Sequence, residues 1–415
     1  MNRMLYANID KPEHQGRVLG NRIRNILANL ALVVVSTLIS FFVIELLFFR
    51  FVLPTMPAHL RPHLSGTPGV LAQSSKAGFV PQHYIALLGD SYAEGFGDWQ
   101  LSLGEDESRP YHSAHIIEQL TGHDVVSFGQ GGAGSAEGLV RLPAFALAGS
   151  QCLLFPTLDT PRKMFVYFYE GNDLQENLEF LRKVRNRYGG DDRAAIDHYL
   201  VQDYSNFAWW RCHVFFFDTT LKVVKYLYAY LTRDLKSEYV RSVSQLDVLP
   251  AINSFLVDGR TVRVQTGLHG PALELSDDNV AKAMDVFSGS LSWLRGRFPD
   301  VPISVVYIPS PLSVYRNVGD TASYAYELNR KAAWKLTVPT AQISVHSDLI
   351  CGLVRHATEG KGIGFIDARP TLRQAALSRT VHGPIDWNHL NENGYRELGQ
   401  LVSRRVDDVN LDPCH

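Results

Sequence analysis

A mainly apolar segment, His83–Leu88, ends at the tripeptide Gly89-Asp90-Ser91. This pattern is typical of a buried strand that stops at a sharp turn. Open α/β folds bind ligands at the carboxyl ends of their strands, so Ser91 would stand at the edge of such a crevice. Its hydroxyl could act as a nucleophile there, and its own N–H could help to hold an oxyanion. Asp and Ser after a strand also form turns and helix caps, so the tripeptide alone leaves both interpretations open.

A serine hydroxyl attacks a carbonyl carbon well only when a base takes its proton. His389 is the candidate base, because it lies in a turn before a predicted final helix and follows Asp386 by three residues. At that spacing the carboxylate can accept from the second ring nitrogen and fix the tautomer. The Asp-x-x-His pattern also occurs in surface caps and metal sites.

Two further segments place polar backbone or amide groups after predicted strands. The glycine cluster Gly129–Gly134 follows the predicted strand Asp124–Phe128, and Asn172 follows the predicted strand Met164–Tyr169. Glycine lets a backbone approach a ligand closely, and the carboxyl ends of parallel strands share one sheet edge. Gly-Asn-Asp is also a good turn sequence.

In order and residue type these four segments resemble the sequence blocks of the SGNH (GDSL-type) hydrolase superfamily. The resemblance spans Tyr84–Asn172, returns at Asp386–Tyr395 and skips the middle of the chain. The sequence departs from the family at Ser127, where members often have Asn, and that position supports the structure more than the chemistry.

The resemblance implies a role for each of five residues. Ser91 would be the nucleophile, His389 the base and Asp386 the carboxylate that orients the base. The oxyanion would be held by the N–H of Ser91, the N–H of Gly132 and the side-chain amide of Asn172. Gly132 is taken from the glycine cluster because aligning the flanking residues with the family pattern puts the donor there.

Alternating strands and helices predict a parallel sheet with helices on both faces. The fold class expected is therefore α/β, a three-layer SGNH-hydrolase-like sheet with one N-terminal transmembrane helix and a mainly helical insertion. The other predicted elements are strands Pro302–Ile308 and Gly364–Asp367, and helices Ser113–Leu120, Ser135–Ala148, Asp277–Arg297, Ala322–Leu336, Ala341–His356 and Asn391–Val406.

The N-terminal region predicts a membrane anchor. Residues 1–25 form a polar, basic tail, and the anchor 26–50 contains an apolar run, Ile26–Phe49. As a helix this run is about 36 Å long, enough to cross a hydrocarbon core of about 30 Å. The basic tail places the N-terminus in the cytoplasm, so the remainder would lie outside. This is the periplasm if the membrane is the inner membrane of a Gram-negative bacterium. A Pro- and Gly-containing linker, 51–80, leads to a hydrolase-like domain over 81–410.

An insertion at about 174–280 exceeds what a minimal SGNH domain needs. It contains a predicted charged helix, Leu174–Arg187, and an aromatic-rich segment, Phe207–Leu231, with Trp209 and Trp210. That segment could be a helix buried against the domain or an apolar wall beside the Ser91 cleft. A hairpin turning at Asp258-Gly259 follows it.

The composition excludes some partners. The chain has 415 residues, a net charge of -2 and 46% hydrophobic residues, so a large core is possible and a basic nucleic-acid-binding face is not expected. The four cysteines are far apart and lack metal-ligand spacing, so unpaired or buried thiols are expected, although an exported domain could contain a disulfide. They are Cys152, Cys212, Cys351 and Cys414. No cofactor and no metal are predicted.

The sequence therefore predicts serine-based acyl transfer on an ester, outside the cytoplasm. Water as the acceptor gives an esterase, and a sugar hydroxyl gives an O-acyltransferase; location suggests acylated cell-envelope glycan or lipid as the substrate. One alternative is a non-catalytic envelope protein that keeps the fold for scaffolding or binding. Another is a metal-dependent hydrolase using Asp386, Asn388 and His389, which lacks further clustered ligands.

Overall fold

The computed structural model describes residues 12–53, 67–98, 112–151, 157–189, 191–205, 253–264, 267–328 and 332–414, with positions 220, 221, 224 and 228. Its strands are β1 (Ile85–Leu88), β2 (Val125–Ser127), β3 (Lys163–Tyr169), β4 (Asn253–Val257), β5 (Arg260–Val264), β6 (Ile303–Ile308), β7 (Arg316–Asn317), β8 (Thr321–Leu328), β9 (Ala332–Pro339) and β10 (Ile363–Asp367).

The helices of the described residues begin with α1 (Pro12–Leu47), which continues as a π-helical segment, Phe48–Val52. The others are α2 (Thr67–Leu71), α3 (Ser91–Glu94), α4 (Ser113–Thr121), α5 (Ser135–Gln151), α6 (Asp173–Tyr188), α7 (Asp192–Ser205), α8 (Asp277–Arg297), α9 (Pro311–Val314), α10 (Thr340–Thr358), α11 (Arg369–Ala376) and α12 (Glu392–Ser403).

A five-stranded parallel sheet forms the centre, in the order β10-β6-β3-β1-β2. Numbered by their own sequence, these strands follow the order 2-1-3-4-5 of a common doubly wound fold. In that order the chain reverses direction across the sheet between β1 and β3, and the crevice opens outside the carboxyl ends of these strands. Strands β1, β2, β3, β6 and β10 are buried along their whole length, as expected for strands covered on both faces.

Helices cover both faces of this sheet. Ala86 and Leu88 of β1 pack into a core shared with α5, α8 and α10. Ile85 and Leu87, which point the other way, pack into a core shared with α4, α11, α12 and the β4–β5 hairpin. The predicted three-layer α/β class is confirmed.

The predicted helix Ala322–Leu336 is wrong. This region forms β8 and β9, an antiparallel pair that joins Thr321 to Pro339 and Leu328 to Ala332. Burial alternates along β8, since Ala322 and Tyr324 are buried while Thr321 is exposed. Alanine favours helix, but period-two burial of a segment rich in Tyr, Thr and Val favours a strand, and packing overrides the local propensity.

The other predicted elements are found with small shifts at their ends. The hairpin turns at Asp258 and Gly259, whose positive φ values of 50° and 69° suit a two-residue loop. The helix Asp277–Arg297 has the predicted bounds, because Ser276 caps it by accepting from the N–H of Asn279.

One helix near the N-terminus, Arg22–Val52, is long and apolar enough to cross a membrane. Its far end meets the domain, where Phe48 and Leu53 join the core. The expected linker 51–80 is not extended throughout, because the apolar residues 70–72 are buried in the same core. Residues 54–66 lie outside the described residues, as do Trp209, Trp210 and most of the aromatic-rich segment.

Candidate active site

The turn that carries Ser91 depends on Gly89. Its φ is +141°, and a β-carbon there would lie 2.7 Å from the carbonyl oxygen of Tyr167 on the neighbouring strand, so only glycine fits. Asp90 then caps α3, since its side chain accepts from the N–H of Tyr92 at 2.9 Å. Ser91 is the first residue of α3, and within the described part of the chain its N–H has no acceptor. The turn thus directs both the hydroxyl and the N–H of Ser91 out of the sheet edge.

The three predicted catalytic residues meet there. The Nε2 of His389 lies 2.9 Å from the Oγ of Ser91, and its Nδ1 lies 2.6 Å from the Oδ2 of Asp386. An ionised carboxylate only accepts, so Nδ1 carries the proton and Nε2 offers its lone pair to the serine hydroxyl. The side chain of Asp386 is 3% exposed and that of His389 is 17% exposed, so the ring stays open to a substrate on one side.

Charge around His389 favours its protonated form. Burial lowers the pKa of the ring, but the carboxylates of Asp386, Asp90 and Glu94 outweigh this and raise the pKa above its ordinary value of 6.5. A base with a raised pKa accepts a proton more readily, which suits the removal of a proton from a serine.

The loop 385–389, which carries His389, is held by two residues that the sequence does not predict to be part of the site. Asp98 accepts from the N–H groups of Asp386 at 2.6 Å and Ile385 at 2.9 Å. The hydroxyl of Tyr92 donates to the carbonyl of Asn388 at 2.7 Å. Both residues belong to the segment around α3, so the loop that carries His389 is bonded directly to the segment that carries Ser91.

Asn388 connects the insertion to the catalytic loop. Its Oδ1 accepts from the N–H of His269 at 2.8 Å, and its Nδ2 donates to the carbonyl of Gly267 at 3.0 Å. Burial lowers the pKa of His269 to about 4, and the nearby His389 adds to this, so His269 is neutral at physiological pH. Part of the 174–280 insertion therefore contacts the loop of His389, and the Asn388 amide is occupied in holding it there.

The glycine cluster lies beside Ser91 and has backbone N–H groups without an acceptor among the described residues. A β-carbon on Gly131 would lie 3.9 Å from the Cβ of Ser91, which places this loop beside the nucleophile. The N–H of Gly131 donates to Glu94 Oε2, and the next N–H, on Gly132, has no acceptor among the described residues. Gly132 has a φ of +69°, a conformation that favours glycine. Gly132, the neighbour of Gly131, thus keeps an available N–H, as does Gly134 at the end of the cluster.

Ser127 and Arg141 support this loop from behind. The hydroxyl of Ser127 donates to the carbonyl of Ala93 and accepts from the N–H of Gly129 at 3.1 Å. The guanidinium of Arg141 donates to the carbonyls of Gly129 and, at 3.1 Å, Phe128. Ser127 therefore joins the end of α3 to the start of the glycine loop, a structural role as expected.

Asn172 lies at the carboxyl end of β3, the strand next to β1. Its Nδ2 donates to Glu176 Oε1 at 3.0 Å, which uses one of its two amide hydrogens. Its Oδ1 is buried without a partner among the described residues. The second amide hydrogen has no acceptor among the described residues, and its role toward an oxyanion stays a prediction.

Three acidic side chains form a cluster that includes Asp90, the residue before Ser91. Oxygen atoms of Asp90, Asp173 and Glu176 lie within 4.8 Å of one another, a spacing that could hold a metal ion. Burial, and then the Asp90 carboxylate, raise the pKa of Asp173 well above its ordinary value, which favours a protonated carboxyl that reduces the repulsion. These are not the ligands of the metal alternative considered from the sequence.

A cavity of about 340 Å³ lies along α6 and the start of α8. Its lining comes from the insertion and the residues just beyond it, namely Gln175, Leu178, Leu181, Arg182, Arg185, Glu274, Leu275, Asn279 and Lys282. Gln175 is one helical turn from Asn172, so the cavity begins close to the predicted oxyanion donor. Burial raises the pKa of Glu274 in this cavity to about 7.

Comparison with known proteins gives little further information. No protein-family model matches the sequence, and no curated protein matches it. A solved acetyl xylan esterase (Est2A) from the rumen bacterium Butyrivibrio proteoclasticus is similar, with 12% sequence identity and a TM-score of 0.30 over 79% of this chain and 64% of that chain. A second crystal structure matches at 12% identity and a TM-score of 0.34, over 78% of this chain and 97% of that chain. Likeness at this level carries no argument about the reaction.

Proposed function

We propose that this protein is a serine-dependent ester hydrolase or acyltransferase of the SGNH kind. One observation carries the proposal. The hydroxyl of Ser91, the ring of His389 and the carboxylate of Asp386 form a continuous chain of hydrogen bonds of 2.9 Å and 2.6 Å at the sheet edge. This is the arrangement that a nucleophile, its base and the orienting group of the base require.

The reaction follows from this chain. His389 Nε2 takes the proton of Ser91 as Oγ bonds to the ester carbonyl carbon, and the carbonyl π electrons move onto oxygen. As the tetrahedral intermediate collapses, the C–O bond to the alcohol breaks and His389 returns the proton to the departing oxygen. Water or a sugar hydroxyl then attacks the acyl carbon while His389 takes its proton. The bond from that carbon to Ser91 Oγ breaks, and His389 returns the proton to Oγ.

The developing oxyanion needs donors that are already in place. The N–H groups of Ser91 and Gly132 have no acceptor in the described part of the chain, and Asn172 retains one amide hydrogen. We assign these three as the oxyanion hole. Asp386 does not take the proton from His389 but stabilises the imidazolium that forms.

The location of the reaction rests on the N-terminal helix and on a disulfide. Cys351 and Cys414 are bonded to each other, so the expectation of unpaired thiols is wrong for this pair. Such bonds are usual for domains in an oxidising compartment. Together with the basic tail before the helix, this supports a single-pass inner-membrane protein with the domain 81–410 in the periplasm. Acylated envelope glycan or lipid is the substrate class within reach of such a domain. A reporter that is active only outside the cytoplasm, fused after His415, should be active, and activity only of a cytoplasmic reporter would refute this orientation.

Two alternatives are less well supported. A scaffold or binding protein would not need a buried carboxylate, a partly exposed histidine and a serine in one hydrogen-bonded chain. A metal-dependent hydrolase using Asp386, Asn388 and His389 conflicts with their contacts, because Asn388 holds residues 267–269 and Asp386 holds the His389 ring.

The test is turnover by the full chain in detergent micelles. The substrates are short p-nitrophenyl esters and acetylated polysaccharides, measured for the wild type, Ser91→Ala and the control Ser150→Ala, an exposed serine on α5. We expect release of p-nitrophenol or acetate by the wild type and the control, and a loss of about 10⁴-fold or more in Ser91→Ala. Equal turnover by Ser91→Ala would remove the nucleophile assignment. With turnover established, added sugar acceptors distinguish transfer from hydrolysis by the acylated product.

A further inference from the structure

We propose that Glu94 is a positioning residue of this site, which holds the glycine loop so that the N–H of Gly132 faces the oxyanion. The inference rests on the proposed function. Glu94 ends the short helix α3 that Ser91 begins. Its Oε2 accepts from the N–H of Gly131, and the neighbouring N–H of Gly132 has no acceptor among the described residues. The carboxylate therefore determines which of two adjacent N–H groups remains for the substrate.

The contacts around the loop support this role. A β-carbon on Gly129 would lie 2.1 Å from the backbone nitrogen of Glu94, so the loop packs directly on the end of α3. On the far side, Arg141 donates to the carbonyls of Phe128 and Gly129. A carboxylate thus binds a loop N–H while a guanidinium binds loop carbonyls, and both hold the loop in one position relative to Ser91.

Glu94 also contributes charge to the base. The charged and titratable groups around Glu94 are Asp90 on the same turn, Arg141 from α5, His389 from the catalytic loop, and His112, whose ring contacts the carbonyl of Glu94. Those around His389 are Asp386, Asp90, Glu94, Asp98, His269 and His382. Burial raises the pKa of Glu94, and its ionised form raises the pKa of His389. Loss of this charge should therefore move the acid limb of the pH–rate profile to lower pH.

Two variants separate reach from charge. Glu94→Gln keeps an oxygen that can accept from Gly131 but removes the charge, whereas Glu94→Asp keeps the charge but is one methylene shorter. The matched control is Glu359→Gln, an exposed glutamate at the end of α10. Each is assayed as the full chain in micelles, for kcat and KM across pH and for the temperature of unfolding.

We expect Glu94→Gln to keep kcat within about threefold at the alkaline plateau and to shift its acid limb down by about 0.3–1 pH unit. We expect Glu94→Asp to keep the wild-type acid limb but to lose about tenfold or more in kcat, with KM little changed, because a donor to the oxyanion is misplaced. Wild-type kcat in Glu94→Asp, or an equal kcat loss in both variants, overturns the positioning role. An unshifted acid limb in Glu94→Gln overturns the charge contribution. Absence of Ser91-dependent turnover in the wild type would instead remove the proposed function itself.

Discussion

Asp98 is the residue whose loss should most clearly separate the catalytic loop from the nucleophile. The Asp98 carboxylate accepts from two backbone N–H groups, on Ile385 and Asp386. Asp98 is 7% exposed. Asp98→Ala leaves the buried N–H of Asp386 and the part-buried N–H of Ile385 without this acceptor. A buried donor without a partner costs about 1–3 kcal/mol and a part-buried one less, so the free energy of unfolding should fall by about 2–4 kcal/mol. Burial raises the pKa of Asp98, and relief of that buried charge offsets part of the loss.

Thermal unfolding and ester turnover of the full chain in micelles measure the two consequences. At about 2 °C per kcal/mol, the midpoint should fall by about 4–8 °C. Turnover should fall by more than tenfold, because a shift of the 385–386 backbone misplaces Asp386 and with it the ring of His389. Asp98→Asn keeps one acceptor oxygen and should give an intermediate loss in both measurements.

The control is Asp407→Ala, which removes an 84%-exposed carboxylate from a surface ion pair with Arg162. Surface pairs contribute about 0–1 kcal/mol, so this variant should behave like the wild type. If Asp98→Ala unfolds at the wild-type temperature with wild-type turnover, the argument that Asp98 holds the catalytic loop is refuted.

Three further predictions concern pH, the disulfide and the cavity. His389 must be neutral to act as a base, and the nearby carboxylates raise its pKa above 6.5. The acid limb of kcat/KM should therefore have its midpoint above pH 6.5. A midpoint at or below that value would contradict the effect of these carboxylates on His389. The Cys351–Cys414 bond closes a loop of 63 residues and should stabilise the fold by up to about 4 kcal/mol. A reductant should therefore lower the unfolding midpoint of the wild type but not of Cys351→Ala/Cys414→Ala. Equal effects on both proteins would contradict this stabilisation. If the cavity along α6 receives the acyl chain, Leu178→Trp fills it and should slow the turnover of long-chain esters more than that of acetyl esters. Leu120→Trp, at an exposed position, should not. An unchanged ranking of chain lengths in a folded Leu178→Trp would show that the cavity does not receive the acyl chain.

Local signals in the sequence were sufficient for the sheet and for the three residues of the hydrogen-bonded chain. An apolar run that ends in Gly-Asp-Ser predicts both the strand β1 and the serine at its carboxyl end, because the glycine conformation and the cap are determined by neighbouring residues. The Asp386–His389 pair is likewise local. The resemblance to a family supplied what spacing could not, namely that residues almost 300 positions apart share one site.

Residues whose partners are distant in sequence could not be found in this way. Asp98 contacts a backbone 287 residues away, and nothing in the residues around it indicates that partner. Glu94 reads as an ordinary helix residue until the glycine loop is folded against it. The β8–β9 hairpin was missed because its alanines favour helix, while the burial that selects a strand arises only from packing of Ala322 and Tyr324 against the rest of the domain.

The central claim is that Ser91 is a nucleophile activated by His389. The most direct measurement is labelling of the full chain with a fluorophosphonate probe, followed by mapping of the modified peptide by mass spectrometry. We predict that the probe modifies Ser91 in the wild type, leaves Ser91→Ala unmodified and reacts far more slowly with His389→Ala. Labelling of Ser91→Ala at the wild-type rate, or modification of a different serine in the wild type, would contradict this assignment.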